Sequence, residues 1–270
     1  MNRFIPNASY LIECKLQNLI FQSDTTLILA LLIGFTGLST LITWLVIHPK
    51  NKHFIAQYEG IVAPFFSLPA VLFSLTAALL ATSIWDNYSI ATKAIKNESQ
   101  GIINIISLAN SIPIPKEIDL PGAAMAYAQS IIYDEWKTLS KSRSISPEAD
   151  EKFITLRATT FKAANMLPDK AESKALLSAF NLVNSARETR LAYATIDVHP
   201  IRWYALLFLG VLVLITVAFT HSSKPKALML AMLISTLTII TPLCIISLTF
   251  SNPYQGLISI SNAPYLQIIK

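Results

Sequence analysis

Residues 62–85 read VAPFFSLPAVLFSLTAALLATSIW, and no charged side chain occurs between Glu59 and Asp86. An α-helix rises about 1.5 Å per residue, so about 20 apolar residues cross the roughly 30 Å hydrocarbon core of a bilayer. A helix also satisfies its own backbone hydrogen-bonding groups, which lipid cannot do. The stretch therefore predicts a membrane-spanning helix from Val62 to Trp85.

Three further long stretches contain no charged residue, and the composition of the whole chain is also typical of a membrane protein. Of the 270 residues, 53% are hydrophobic and only 14% are charged, and the mean hydropathy is +0.51. These values are too apolar for an ordinary soluble domain. We expect the other spans at Leu27–Ile47, Trp203–Thr220 and Ala227–Phe250. The first is expected to be a retained anchor, because no typical signal-peptide pattern precedes it.

The segment between the second and third spans, residues 86–202, is of a different kind. It contains 14 Lys or Arg and 13 Asp or Glu residues, a balanced mixture that is typical of a solvated domain and not of a nucleic-acid-binding arm. Prolines and capping residues predict that the second span continues to Ile112 and that helices begin near Pro121, Pro147 and Asp169. The helix from Pro121 is expected to bury four residues at helical spacing: Met125, Ile132, Trp136 and Leu139.

These patterns predict an all-α membrane protein with four transmembrane helices and a helical soluble domain inserted between the second and third spans. The N-terminal segment, residues 1–26, has apolar side chains on one face over Ser9–Gln22, which indicates an interfacial helix, with a disordered tail as the alternative. The remaining divisions are transmembrane helices 1 and 2 (27–85), the insert (86–202), transmembrane helices 3 and 4 (203–250) and a C-terminal tail (251–270).

The sequence contains no familiar catalytic signature. There is no GxxxxGK phosphate loop, HExxH zinc motif, GxSxG elbow or CxxC pair, so we expect neither enzyme activity nor a cofactor. The four histidines stand near the predicted membrane edges and are not expected to bind a metal: His48, His53, His199 and His221. The predicted spans contain no Asp, Glu, Lys, Arg or His, which argues against a proton relay but leaves an uncharged pore possible.

One face of the second span consists mainly of small residues. They recur at helical spacing, as Ser67, Val71, Ser74, Ala78, Ala81 and Trp85. Small side chains permit either a pore lining or the close approach of another helix. From these residues alone, a pore face and a packing face without conduction both remain open.

Two groups of residues resemble those of a known family. At the end of the second span, TSIWDNY (residues 82–88) resembles the bestrophin signature in which a tryptophan, two polar residues and a tyrosine close the pore helix. Over about residues 60–265 the chain resembles the bacterial bestrophin-like domain family of unknown function. The residues that carry this resemblance are Glu98, Ile102, Pro113, Tyr127, Asp134, Glu135, Trp136, Arg187, Arg190, His199, Pro200, Trp203, Asn252, Pro253, Tyr254, Gly256 and Pro264.

The resemblance implies a pentamer with the second span around a central axis and the insert in the cytoplasm. It places the three neck positions of bestrophins on Ser67, Val71 and Leu75, and these with Ser74 are the predicted pore-lining residues. Ser67 departs from the family, whose neck residues are bulky and apolar. Calcium control is not implied, because the acidic pair at residues 150–151 is smaller than the acidic cluster of calcium-responsive bestrophins.

The leading hypothesis is therefore a bestrophin-like oligomeric ion channel in the plasma (inner) membrane, whose partners are the lipid bilayer and further copies of itself. The competing hypothesis is a non-conducting, membrane-anchored helical sensor or scaffold. Lys and Arg near the spans are nearly balanced between the two sides, so the positive-inside rule does not fix the orientation. The sequence also leaves the permeating ion open.

Overall fold

The computed structural model describes residues 24–51, 67–115, 117–195, 200–250, 254 and 259–269. The helices are α1 (Asp24–Ile47), α2 (Ser67–Ser111), α3 (Leu120–Ser130), α4 (Trp136–Ser142), α5 (Pro147–Met166), α6 (Lys170–Thr195), α7 (Pro200–Thr220), α8 (Pro225–Phe250) and α9 (Ala263–Ile269). A π-helical turn, Ile131–Glu135, joins α3 to α4. The all-α prediction is confirmed for these ranges, whereas the predicted interfacial helix over residues 9–22 lies outside them.

Four helices, α1, α2, α7 and α8, are long and apolar enough to cross a membrane. Three of them contain a whole predicted span, and the second predicted span, Val62–Trp85, is described from Ser67 onward. The helix α2 then continues without a break to Ser111, one residue before the predicted end at Ile112. It ends there because Pro113 disfavours helical backbone in the residue before it.

The chain forms two compact units, and the first consists of Met1–Ile84 and Val198–Ser251. Its described helices are α1, the first part of α2, α7 and α8, and they share one apolar core. The long apolar side chains on the outer surface of this unit are numerous, as expected of a surface that faces lipid.

Close packing in the first unit is set by a glycine and by one polar contact. A Cβ atom at Gly210 of α7 would lie 3.1 Å from both the Phe35 ring and the Ile239 side chain. An added side chain would push these two neighbours back by a few tenths of an ångström, so the glycine favours the close approach of α7 to α1 and α8. The hydroxyl of Thr236 on α8 donates to that of Ser39 on α1 at 2.8 Å, and such bonds stabilise apolar bundles by about 1 kcal/mol.

The second unit consists of Trp85–Asp197 and Asn252–Lys270. It contains the rest of α2, the helices α3 to α6, and α9 around a second apolar core. The residues after α8 take part in this core, where Tyr254, Ile260 and Tyr265 are buried. The C-terminal segment is thus packed into the helical unit that the insert forms.

The three helices predicted within the insert begin at capped positions. The capping side chains accept hydrogen bonds from backbone N–H groups of the first turn: Asp119 from Gly122 at 2.8 Å, Ser146 from Ala149 at 3.4 Å and Asp169 from Ala171 at 2.7 Å. Each such cap contributes about 1 kcal/mol. The predicted starts near Pro121, Pro147 and Asp169 are confirmed.

The buried face of the helix that contains Pro121 differs from the prediction. Leu139 is buried, but Met125, Ile132 and Trp136 are only half-buried. The buried positions are instead Ala124, Tyr127, Ala128, Ile131 and Glu135. The difference begins before the π-helical turn, because α3 already buries Ala124, Tyr127 and Ala128 and leaves Met125 half-buried. Glu135 follows Ile131 by four residues, lies on the same face and is buried as well.

Candidate functional site

The first candidate site is one face of α2 in the first unit. The four predicted pore-lining residues, Ser67, Val71, Ser74 and Leu75, all lie outside the core of their own chain. Val71 is 62% exposed and Leu75 is 55% exposed. This face is therefore available to lipid, to a water-filled lumen or to another copy of the chain.

The opposite side of α2 holds the helix in the core of the first unit. Its buried residues recur at helical spacing, as Phe73, Ala77, Leu80 and Ile84. The remaining members of the small stripe, Ala78, Ala81 and Trp85, are exposed like the first four residues. The small residues therefore do not pack against a described helix of the same chain.

The exposed side of α2 divides into two surfaces of different chemistry. Leu68, Leu72 and Leu79 are also exposed, but at about 100° per residue they lie roughly 100–140° around the helix from Ser67. Leu75, about 80° from Ser67, lies at the border between them and the small stripe. The small stripe itself bears hydroxyl groups. The Ser74 hydroxyl donates to the carbonyl oxygen of Ala70 at 2.8 Å, so its oxygen needs no second helix and can accept hydrogen bonds from outside.

The second candidate site is a buried charge network in the second unit. Its centre is Glu98 on α2, whose side chain has no exposed surface. The Glu98 carboxylate accepts hydrogen bonds from the Tyr127 hydroxyl at 2.5 Å and the Tyr265 hydroxyl at 2.7 Å. It also accepts two from Arg190, from Nε at 2.5 Å and from Nη2 at 3.1 Å. One carboxylate thereby connects α2 with α3, α6 and α9.

Arg190 also binds a second buried carboxylate. Its Nη2 donates to Glu135 at 2.5 Å, and neither side chain has exposed surface. One turn earlier on α6, Arg187 lies 3.5 Å from Glu135 and 3.1 Å from Asp150, with its guanidinium 4.5 Å from the centre of the Phe153 ring. Two arginines and two buried carboxylates balance in charge, as a low-dielectric interior requires.

Burial and charge set the protonation of this network. Burial raises the pKa of Tyr127 and Tyr265 well above the usual value, and the Glu98 carboxylate raises them further. Burial also raises the pKa of Tyr254, to about 12. Burial opposes the charge of Arg190, but the nearby Glu98 carboxylate and its neighbours hold the pKa of Arg190 well above its usual value. At neutral pH the tyrosines are therefore hydrogen-bond donors and the arginine is charged.

The C-terminal segment closes one side of the network. Trp136 meets two tyrosine rings edge to face, Tyr254 with 4.9 Å between ring centres and Tyr265 with 6.2 Å, an arrangement that aromatic rings favour. Next to Glu98 on α2, the Ser99 hydroxyl donates to the carbonyl oxygen of Pro264 at 2.8 Å. The segment is thus attached to two consecutive residues of α2.

A known family matches this chain over most of its length. The family model described as Bestrophin-like domain matches residues 33–265. The chain belongs to the Bestrophin-like family. Among solved structures it is similar to a bacterial bestrophin homolog from Klebsiella pneumoniae that carries a tryptophan-to-alanine mutation. The TM-score is 0.64 at 15% identity, covering 90% of this chain and 95% of that chain. At this identity the likeness shows the bestrophin fold alone, and no curated protein matches the sequence.

Seven of the residues that carried the bestrophin-like resemblance in the sequence meet in the second unit. The charge network contains five of them: Glu98, Tyr127, Glu135, Arg187 and Arg190. Tyr254 and Pro264 border it. Two adjacent carboxylates such as Asp134 and Glu135 would also suit a solvated helix face, but Glu135 is buried and bound to Arg190.

Sequence reasoning missed three members of the site. In the sequence, Asp150 stands out only as half of an acidic pair, Ser99 belongs to no pattern, and Tyr265 lies in the predicted C-terminal tail. For Tyr265 a signal was present, because an aromatic residue directly after Pro264 in a charge-free stretch indicates burial. No local pattern pointed to Ser99.

The described ranges contain no group of three or more potential metal-ligating side chains. His48 lies just past the end of α1, and His221 follows α7, with its Nδ1 3.1 Å from the carbonyl oxygen of Val217. His53 and His199 lie outside the described residues.

Proposed function

We propose that this bestrophin-like protein is a subunit of a pentameric ion channel whose pore is lined by α2. The proposed pore-lining residues are Ser67, Val71, Ser74 and Leu75. The observation that carries the proposal is the outward-facing stripe of small residues on an apolar helix of a bestrophin-like chain. The proposed activity is conduction and not catalysis.

The outer faces of α1 and α8 carry large apolar side chains beside exposed small or hydroxylated residues such as Gly37 and Thr241, so the assignment of the pore to α2 follows the family resemblance. Ile33 on α1 is 71% exposed, and Leu233 and Leu237 on α8 are each 57% exposed. Large apolar side chains of this kind suit contact with lipid. Small and hydroxylated residues such as Ser74 and Ala78 gain less from lipid, but they suit a lumen or close contact between copies.

The proposed pore selects and gates without fixed charge in the membrane. Val71 and Leu75 lie about one turn apart, so five copies of each would form two apolar rings that restrict water. Ser67 and Ser74 place hydroxyl oxygens on the same face. A small change in the diameter of the apolar rings would therefore open or close the path for ions.

The packing of the C-terminal segment supports four spans. Tyr265 follows α7 and α8 in the chain, yet it binds Glu98, which precedes them. If α7 and α8 each cross the bilayer once, the chain returns to the side on which it left, as this contact requires. We place the helical unit in the cytoplasm and the protein in the plasma (inner) membrane, following the family.

Planar-bilayer recording tests the proposal. Purified protein is expected to give unitary currents, and Val71→Ala and Leu75→Ala are expected to change conductance or open fraction because each widens an apolar ring. The matched control is Leu237→Ala, which shortens an exposed side chain on α8. It should leave the currents unchanged.

Two results would reject the channel. One is silence of the wild-type protein under several salts and voltages while its native mass shows folded oligomers. The other is a response to Leu237→Ala as large as the response to Val71→Ala or Leu75→Ala. Silent monomers or dimers would instead favour the competing sensor or scaffold.

A further inference from the structure

The helix α2 carries a different functional feature in each of its two halves. Its first part bears the outward-facing stripe with Leu75, and about six turns further on it bears Glu98. Both belong to one helix, Ser67–Ser111, that contains no proline after its first turn. Neither a proline nor a π-bulge, two usual causes of a sharp kink, interrupts α2 between these two features, so a displacement of the helix at Glu98 is expected to reach Leu75.

The hydrogen bonds to Glu98 restrain the position of the surrounding part of α2. Its carboxylate accepts four hydrogen bonds from three other segments, which contain Tyr127, Arg190 and Tyr265. All four side chains are buried. Because a shift of α2 would expose a buried charge or leave it unpaired, small displacements are costly, and α2 is expected to prefer discrete positions.

The backbone next to Glu98 allows little intermediate motion. At Gly101 a Cβ atom would lie 2.6 Å from a methyl carbon of Val183 and 3.2 Å from the carbonyl oxygen of Ala179. Here α2 is already packed against the backbone of α6. The carboxylate and this close contact therefore fix the axial position of α2 within the second unit.

We propose that Glu98 is a positioning residue for gating: through its bonds to Arg190, Tyr127 and Tyr265 it sets the position of α2 and hence the open fraction of the pore. This inference rests on the proposed channel function. The role is positional because Glu98 lies far along the helix from the proposed neck and does not touch a permeating ion.

Tyr265→Phe is the sharpest test, because it keeps the ring and removes only the hydroxyl that donates to Glu98. Hydrogen bonds to charged groups are among the stronger ones, so the open fraction is expected to change about tenfold. Glu98→Gln should change it further if that variant folds. The matched control is Tyr133→Phe, since Tyr133 is exposed, and it should leave the open fraction unchanged.

A second readout follows α2 without requiring current. A spin label is attached through Leu79→Cys in a background with Cys14→Ser and Cys244→Ser, and pulsed dipolar spectroscopy gives the distances between copies. Tyr265→Phe is expected to shift these distances by about 1–2 Å, as helix displacements at interfaces do. A second control is Leu156→Ala, which removes buried side-chain atoms from the core of the second unit. This variant is expected to lower the melting temperature, but it removes no hydrogen bond to Glu98.

The outcomes separate the two proposals. If the wild-type protein conducts, but Tyr265→Phe changes neither open fraction nor distances, the positioning role is wrong and the channel stands. If the wild-type protein is silent, the channel is wrong, and the distances alone decide whether Glu98 positions α2. If Leu156→Ala has the same effects as Tyr265→Phe, general loss of stability explains them and the positioning role is rejected.

Discussion

At the scale of single residues, the informative group is the pair of arginines on α6. Both bind Glu135, but Arg190 has no exposed surface, whereas Arg187 also contacts Asp150, whose side chain is half exposed. Removing one partner of a fully buried ion pair leaves an uncompensated charge in a low dielectric. Near solvent, water and salt reduce that cost.

The two arginines should therefore differ in their contribution to stability. We expect Arg190→Met to lower the free energy of unfolding by about 3–5 kcal/mol, because it leaves the buried Glu98 without a cationic partner and Glu135 with Arg187 alone. Arg187→Met should cost clearly less. Thermal unfolding in detergent measures both, and equal losses would contradict the asymmetry in burial.

At the scale of secondary-structure elements, two glycines show how differently the helices of this protein are packed. Gly101 on α2 faces Val183 and Ala179 of α6 at less than contact distance for an added Cβ, while Gly34 on α1 has no heavy atom within 4 Å of that position. Glycine costs helix stability in both places. Of these two glycines, only Gly101 offsets the lost helix stability, because it allows α2 and α6 to pack closely.

Alanine substitution at these two positions should act in opposite directions. Gly101→Ala is expected to destabilise the protein by about 1–3 kcal/mol, because α2 and α6 must move apart. Gly34→Ala is expected to stabilise it by up to about 1 kcal/mol through helix propensity alone. Melting temperatures of the two variants are the measurement, and a stabilising Gly101→Ala would disprove the close contact.

At the scale of the whole molecule, one surface of the chain is expected to contact further copies of the same chain. The small stripe of α2 is exposed although it belongs to a helix that buries its other side. The lumen that the proposed function requires needs several copies of α2 around an axis, because one helix cannot enclose water.

The mass of the assembly is therefore the central prediction at this scale. Native mass spectrometry in detergent is expected to give five copies of the 29.8 kDa chain. Substituting a bulky residue for a small one on the stripe, as in Ala78→Phe, should weaken the assembly, whereas Leu237→Phe on α8 should not. A wild-type protein that is wholly monomeric would contradict the prediction.

The sequence predicted the apolar helices and their caps because these depend on neighbouring residues: charge-free stretches, prolines and capping side chains. It could not place Glu98 against Arg190 and Tyr265, because pairing over long separations depends on packing that no local pattern encodes. The π-helical turn at Ile131–Glu135 also left no clear sequence signal. The resemblance named most of the network residues, but only the fold showed that they meet.

The order in which the chain is synthesised gives the Glu98 network a further consequence. Glu98 is made 92 residues before Arg190 and 167 residues before Tyr265. Closing such long loops is entropically slow, and the last partner emerges only after both later apolar helices. Maturation of the helical unit must therefore wait for these helices to be completed, and until then a nascent chain holds a carboxylate whose last partner, Tyr265, does not yet exist.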